Sequence, residues 1–155
     1  MGYLRDDPHA TAKRRVLRHA PWVVLRDAST APINGISDFC SRPQVLVTPQ
    51  GDLEGFVDDQ LRELGHDRHV VVGLSSFALI LSTLPGTDLI TTVPDFIAER
   101  LADLGRLAID PCPVAVPPVT NTMAWPASTD RDSAERWFRE RVAEAFLATG
   151  GSSES

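Results

Sequence analysis

Two short polar turns carry the only residue pattern in this chain that could do chemistry on a small molecule. They are Thr48-Pro49-Gln50-Gly51 and Ser75-Ser76, and each directly follows an apolar run, Val45–Val47 and Val70–Leu74. Hydroxyls and free backbone N–H groups at a strand-to-helix turn can grip an anion, because the first N–H groups of a helix have no partner within it. Ser75 and Ser76 stand where they can cap a helix predicted over Phe77–Leu84. On one reading that helix start binds a carboxylate, and on the other the serines only cap it. A serine nucleophile finds little support, since no GxSxG elbow surrounds either serine and no histidine is placed as its base.

Other reactive types are less promising. Asp58 and Asp59 are adjacent, and neighbouring helix positions diverge by about 100°, so the two carboxylates do not share a face. One is expected to face solvent and the other to partner an arginine. His66 and His69 sit at i, i+3 but at a predicted helix–strand junction without a third ligand, so no metal is expected. Cys40 and Cys112 belong to no CxxC motif, and with no signal peptide visible the expectation is reduced thiols in the cytoplasm. No cofactor motif is present.

The elements that must position the two turns can be read from periodicity. Val45–Val47, Val70–Leu74 and Leu89–Val93 are apolar runs bounded by turn residues and separated by amphipathic segments, which is the pattern of βαβ units and a parallel sheet. The strand His69–Leu74 reads as covered on both faces. In such sheets ligands sit at the carboxyl ends of the strands. Leu53, Phe56, Val57, Leu61 and Leu64 fall at helical spacing after Gly51, with Gly65 as the stop. Trp22–Leu25 reads as a strand and Ile36–Ser41 as one helical turn. Phe96–Leu104 reads as a helix, the proline-interrupted Leu107–Val116 as an edge segment, and Thr120–Trp125 as a strand. The first twenty residues read as a polar lead-in and a basic segment of weak helical character. After Thr129 and Asp132 a helix is predicted with Ala134, Trp137, Phe138, Val142, Ala145 and Phe146 facing inward.

Composition bounds the function. The 155 residues carry a net charge of −6 with 43% hydrophobic and 23% charged residues, which suits a globular protein and not one that holds nucleic acid by itself. No apolar run approaches the roughly 20 residues that span a bilayer.

Several of these residues resemble the effector-binding domain of LysR-type transcriptional regulators, closest to the branch with nodulation regulators. The resemblance is carried by Val45-Leu46-Val47-Thr48-Pro49-Gln50-Gly51, Gly55-Phe56-Val57-Asp58, Leu61, Leu64-Gly65 and Arg68. Thr87-Asp88-Leu89-Ile90-Thr91-Thr92-Val93-Pro94, Met123-Ala124-Trp125 and the Trp137 helix extend it over residues 20–147. It implies an α/β, periplasmic-binding-protein-like fold of two lobes with a small effector between them. Residues 1–34 would end the first lobe and cross over, 35–94 form the second lobe, 95–149 return to the first, and 150–155 form a flexible tail. The ligand positions it implies are Thr48, Pro49, Gln50 and Gly51, with Ser75, Ser76 and Phe77 at the next turn. With the hydroxyl-capped helix starts, an organic or aromatic acid is expected as effector, and apolar surface left by the partial first lobe is expected to favour self-association of the chain. The family's helix-turn-helix and the opening strands of its first lobe have no counterpart in the sequence, so DNA contact would belong to a longer parent protein. Beside this sensing module stand two other readings, a ligand-free dimerisation fragment and a small α/β hydrolase using Ser75 or Ser76.

Overall fold

A computed structural model describes residues 12–48, 51 and 53–148, which fall into two compact units. The larger runs from Ala20 to Val119, and the smaller combines the stretch ending at His19 with the one beginning at Thr120.

The larger unit is built on a five-stranded sheet. Its strands are β2 (Trp22–Asp27), β3 (Pro43–Val47), β4 (His69–Leu74), β5 (Ile90–Pro94) and β6 (Leu107–Pro111), in the order β4-β3-β5-β2-β6. The three apolar runs read as a parallel set do form one, since β3 pairs parallel with both β4 and β5. The sheet as a whole is nevertheless mixed, because β2 runs antiparallel to β5 and β6. The βαβ pattern of the central segment says nothing about a strand that enters the sheet before it.

Helices cover both faces, as alternation along the strands requires. On one face Leu25, Val45, Val93 and Leu107 pack with Ile80 and Leu84 and with Ala98 and Leu101 of α4 (Asp95–Leu104). On the other, Val24 and Ile90 pack with Phe39 of α1 (Gly35–Ser41), Val57 and Leu61 of α2 (Phe56–Glu63), and Val114. Each fully buried Leu, Val or Phe contributes about 1.5–3 kcal/mol.

Both sheet edges are blunted. Pro111 ends β6 and Pro113 follows it, while β4 carries a bulge: Gln44 pairs with Val70 but Val45 with Val72, so Val71 is left over. Hence the expectation that β4 is covered on both faces fails. It is an edge strand in which His69, Val71 and Gly73 are exposed, and its apolar run reflects the bulge rather than complete burial.

Asp27, at the end of β2, is a small electrostatic anchor. Its carboxylate accepts from the Ser29 hydroxyl, from Ser29 N at 2.7 Å and from Gly86 N at 2.6 Å. Gly86 adopts φ +75°, a left-handed turn that disfavours a side chain. Together the Ser29 hydroxyl and the two backbone donors lower the Asp27 pKa from 3.8 to about 2. Because the folded value lies below the unfolded one, this stabilisation is complete above the ordinary carboxylate pKa and is lost as pH falls towards about 2. Asp27→Asn should therefore lower the urea midpoint at neutral pH, with the variant and parent midpoints converging on acidification. A difference independent of pH would contradict the anchor.

In the smaller unit, β1 (Ala12–Ala20) pairs with β7 (Val119–Pro126), and α5 (Ser133–Ala148) follows. Two expectations fail here. The basic segment predicted as weakly helical is a strand, since pairing with β7 decides the conformation of a stretch whose Lys and Arg residues do not favour strands. The face of α5 predicted to point inward is largely exposed, with Trp137 62% and Phe138 58% exposed and Val142 exposed as well, while Phe146 is half-buried. α5 buries Arg139 and Ala143 instead. The Arg139 guanidinium lies over the Trp125 ring, 4.9 Å from its centroid, and donates to the carbonyls of Thr129 and Asp130. Asp132 caps the helix, its carboxylate accepting from Ala134 N and Glu135 N.

Candidate functional site

The two polar turns begin side by side. Val47 pairs with Leu74 at the last position of the parallel β3–β4 ladder, and one residue later Thr48 N donates to Leu74 O at 2.8 Å. Thr48 and Ser75 thus leave neighbouring strands at the same end of the sheet. Below them a Cβ at Gly73 would stand 3.1 Å from Leu53 Cδ2 and 3.5 Å from Thr48 Cγ2, so glycine there lets Leu53 and Thr48 close over the strand. Thr48 is half-buried and Gly51, at φ +83°, is exposed. Pro49 and Gln50 lie outside the described residues.

At the second turn Ser75 and Ser76 are exposed, and Phe77 is half-buried against the core that contains Ile80 and Leu84. The helix expected over Phe77–Leu84 is shorter, a 3-10 turn at Phe77–Leu79 followed by the single α-turn α3 (Ile80–Thr83). Ser76 Oγ accepts from Ala78 N at 3.2 Å, so this serine does cap.

α2 also starts later than expected, at Phe56 rather than after Gly51, and its first-turn carboxylate is occupied. Asp58 accepts from Gly55 N at 2.6 Å and holds Arg68 through two 2.7 Å bonds. Arg68 further donates to Gln44 Oε1 at 3.2 Å, and Gln44 Nε2 to Phe39 O at 2.7 Å. Burial pushes the Asp58 carboxyl up, but Arg68 and the backbone donors outweigh it and hold the group below its ordinary value. Asp59, on the exposed side, pairs with Arg62 at 2.8 Å. The two adjacent carboxylates therefore play the separate roles expected of them.

A half-open cavity of about 280 Å³ lies beside this network, lined by Leu53, Asp58, Leu61, Arg62, Arg68 and Val70. It draws on the first residues of β4, whereas Ser75–Phe77 follow the last, so it is not the space at the turns. Among the described residues no three His, Cys, Asp or Glu side chains are grouped to hold a metal. Cys40 and Cys112 are half-buried free thiols packed against the same cluster, and burial pushes both pKa values up.

Sequence reading missed one feature near the turns. Trp22 lies opposite Pro94 at the β2–β5 ladder's end, with its ring centroid 4.1 Å from that of Phe56 and its Nε1 donating to Pro117 O at 3.0 Å. Only the antiparallel pairing of β2 puts Trp22 at this end of the sheet, and the sequence gives no sign of that direction.

Residues 2–147 match the family model described as the LysR substrate binding domain. The chain belongs to this family. It is thus a domain of transcriptional regulators and not an enzyme, and its architecture is the periplasmic-binding-protein-like α/β fold with a mixed central sheet flanked by helices. The regulatory domain of MexT, a transcriptional activator of Pseudomonas aeruginosa, is 37% identical, with a TM-score of 0.76 over 90% of this chain and 68% of that one. The HTH-type transcriptional regulator SyrM of Rhizobium meliloti (strain 1021) is 28% identical over 97% of this chain, which spans 44% of that protein. The BenM effector-binding domain with its effector benzoate shares the fold, with a TM-score of 0.62 at 20% identity over 99% of this chain and 70% of that one. The LysR domain thus spans about half the length of the curated relatives it matches. Among its described residues no helix is long and apolar enough to cross a membrane.

Proposed function

We propose that this LysR domain senses a small organic or aromatic acid and self-associates within a cytoplasmic transcriptional regulator whose DNA contact lies elsewhere in the parent protein. The ligand is held at Thr48, Pro49, Gln50 and Gly51 and at Ser75, Ser76 and Phe77, without being transformed. The observation that carries this reading is the Thr48 N to Leu74 O bond, which brings the two turns to neighbouring strand ends. Residues 35–94 then supply the ligand-facing part of the second lobe, and β2 and β6 complete its sheet. Binding would act by favouring one conformation of the regulator over another. The exposed Trp137, Phe138 and Val142 supply apolar surface for self-association.

Benzoate is the first probe, as the effector named for the BenM domain. A thermal-shift titration against benzoate and a series of dicarboxylic acids should show Tm rising with ligand concentration, as mass action requires. Ser75→Ala combined with Ser76→Ala should lower the starting Tm, since a lost cap costs about 1 kcal/mol, and should also flatten the ligand-induced rise. If no acid shifts Tm, the chain is a ligand-free dimerisation fragment and the sensing reading fails.

A further inference from the structure

The Thr92 hydroxyl is the one buried side-chain oxygen of the larger unit left without a hydrogen-bond partner among the described residues, and Thr92 retains only 8% of its surface. Such a group carries a desolvation penalty that a Val in its place would avoid. Its neighbours follow from the ladder. Thr92 lies opposite Val24, one same-face step, about 7 Å, below the Trp22–Pro94 pair that closes the β2–β5 ladder. Continuing the β3–β5 register of Gln44 with Ile90 and Val45 with Thr91 sets Leu46 beside Thr92 and Gly73 beyond it. Thr92 therefore lies directly beneath the end of the sheet where Thr48 stands, on the face that carries Trp22 and Val24. In the row above, Trp22 meets Phe56, whose ring is partly exposed at the start of α2.

Building on the proposed acid-binding site, we infer that Thr92 is its specificity-determining hydrogen-bond donor. An aromatic acid enters at the Trp22–Phe56 rings, displaces the Phe56 ring, and its carboxylate accepts a hydrogen bond from Thr92 Oγ1. Thr91, next to it, cannot serve, because its hydroxyl already donates to Val45 O at 2.8 Å. The unpaired hydroxyl is then a cost carried by the empty protein and offset when the acid binds, a trade of stability for recognition.

Thr92→Val keeps the shape and removes the donor. The variant should melt higher than the parent when empty, and calorimetric titration should show benzoate binding roughly ten- to a hundred-fold more weakly, the loss of a hydrogen bond to a charged group. Thr92→Ser should keep most of the affinity. Unchanged benzoate affinity in Thr92→Val overturns the assignment and leaves the acid site standing. A lower empty-state Tm also overturns it, because the hydroxyl would then already have a partner. Failure of the parent itself to bind benzoate also overturns the inference, which assigns an aromatic acid, whereas the acid site falls only if no acid of the series binds.

Discussion

Arg68→Met should destabilise the larger unit by about 3–5 kcal/mol, the cost of leaving a buried charge without its partner. The Arg68 side chain is 1% exposed and that of Asp58 14%, far from the surface pairs that contribute at most about 1 kcal/mol. The substitution removes both bonds to Asp58 and the donor to Gln44 Oε1, and so loosens the chain of contacts from α2 through β3 to α1. Its pH dependence distinguishes this from a simple packing loss. In the parent, Asp58 titrates below its ordinary value, so its stabilisation is present at neutral pH and lost on acidification. In the variant the upward push of burial remains against the Gly55 and Asp58 N–H groups alone, so protonation relieves the buried charge. The gap between the two urea midpoints should therefore narrow below about pH 4. A loss under about 1 kcal/mol at pH 7 would place this pair with the surface ones.

How much of this was legible in the sequence differs between the two units. In the larger one, Val45–Val47, Val70–Leu74 and Leu89–Val93 are apolar runs closed by turn residues, and all but Leu89 of these residues fall in strands of one sheet. Gly65 was legible as a helix stop and takes φ +73° after α2. Hidden from a linear reading were the antiparallel sense of β2, which depends on partners 64 to 88 residues away, and the leftover Val71, which no hydrophobic pattern reveals. In the smaller unit the signal misleads. α5 carries apolar residues on more than one side, so a 3.6-residue period cannot choose which is buried, and Arg139 lies on the buried one because Trp125 and two carbonyls receive its guanidinium. β1 carries too many basic residues to show strand alternation, and only its pairing with β7 makes it one. At the candidate site the turns were legible, but Trp22, Phe56 and Thr92 come together only through sheet register.

The second buried pair should behave differently when both partners are replaced. Arg26 and Asp110, whose side chains are 8% and 10% exposed, are joined by bonds of 2.7 and 3.2 Å across β2 and β6. Burial pushes Asp110 up, while Arg26 and Ile33 N together hold it below its ordinary value. Asp110→Ala should cost about 3–5 kcal/mol, because the Arg26 charge is then stranded in the core. Arg26→Met with Asp110→Leu removes both charges, and apolar replacement of an intact buried pair is often neutral. Here neutrality is not expected. Asp110 also accepts from Ile33 N at 2.8 Å, and Arg26 donates to Thr30 O at 2.6 Å, so the double variant orphans backbone groups on the 28–34 loop. That leaves a residual loss of about 1–3 kcal/mol, well short of the sum of the two single losses. A double-mutant cycle in urea reads the difference directly. Simple additivity would mean that Arg26 and Asp110 do not act as a pair. A residual loss near zero would mean that the loop finds other partners, and that the row Thr92–Val24–Asp110 keeps its geometry without the charges.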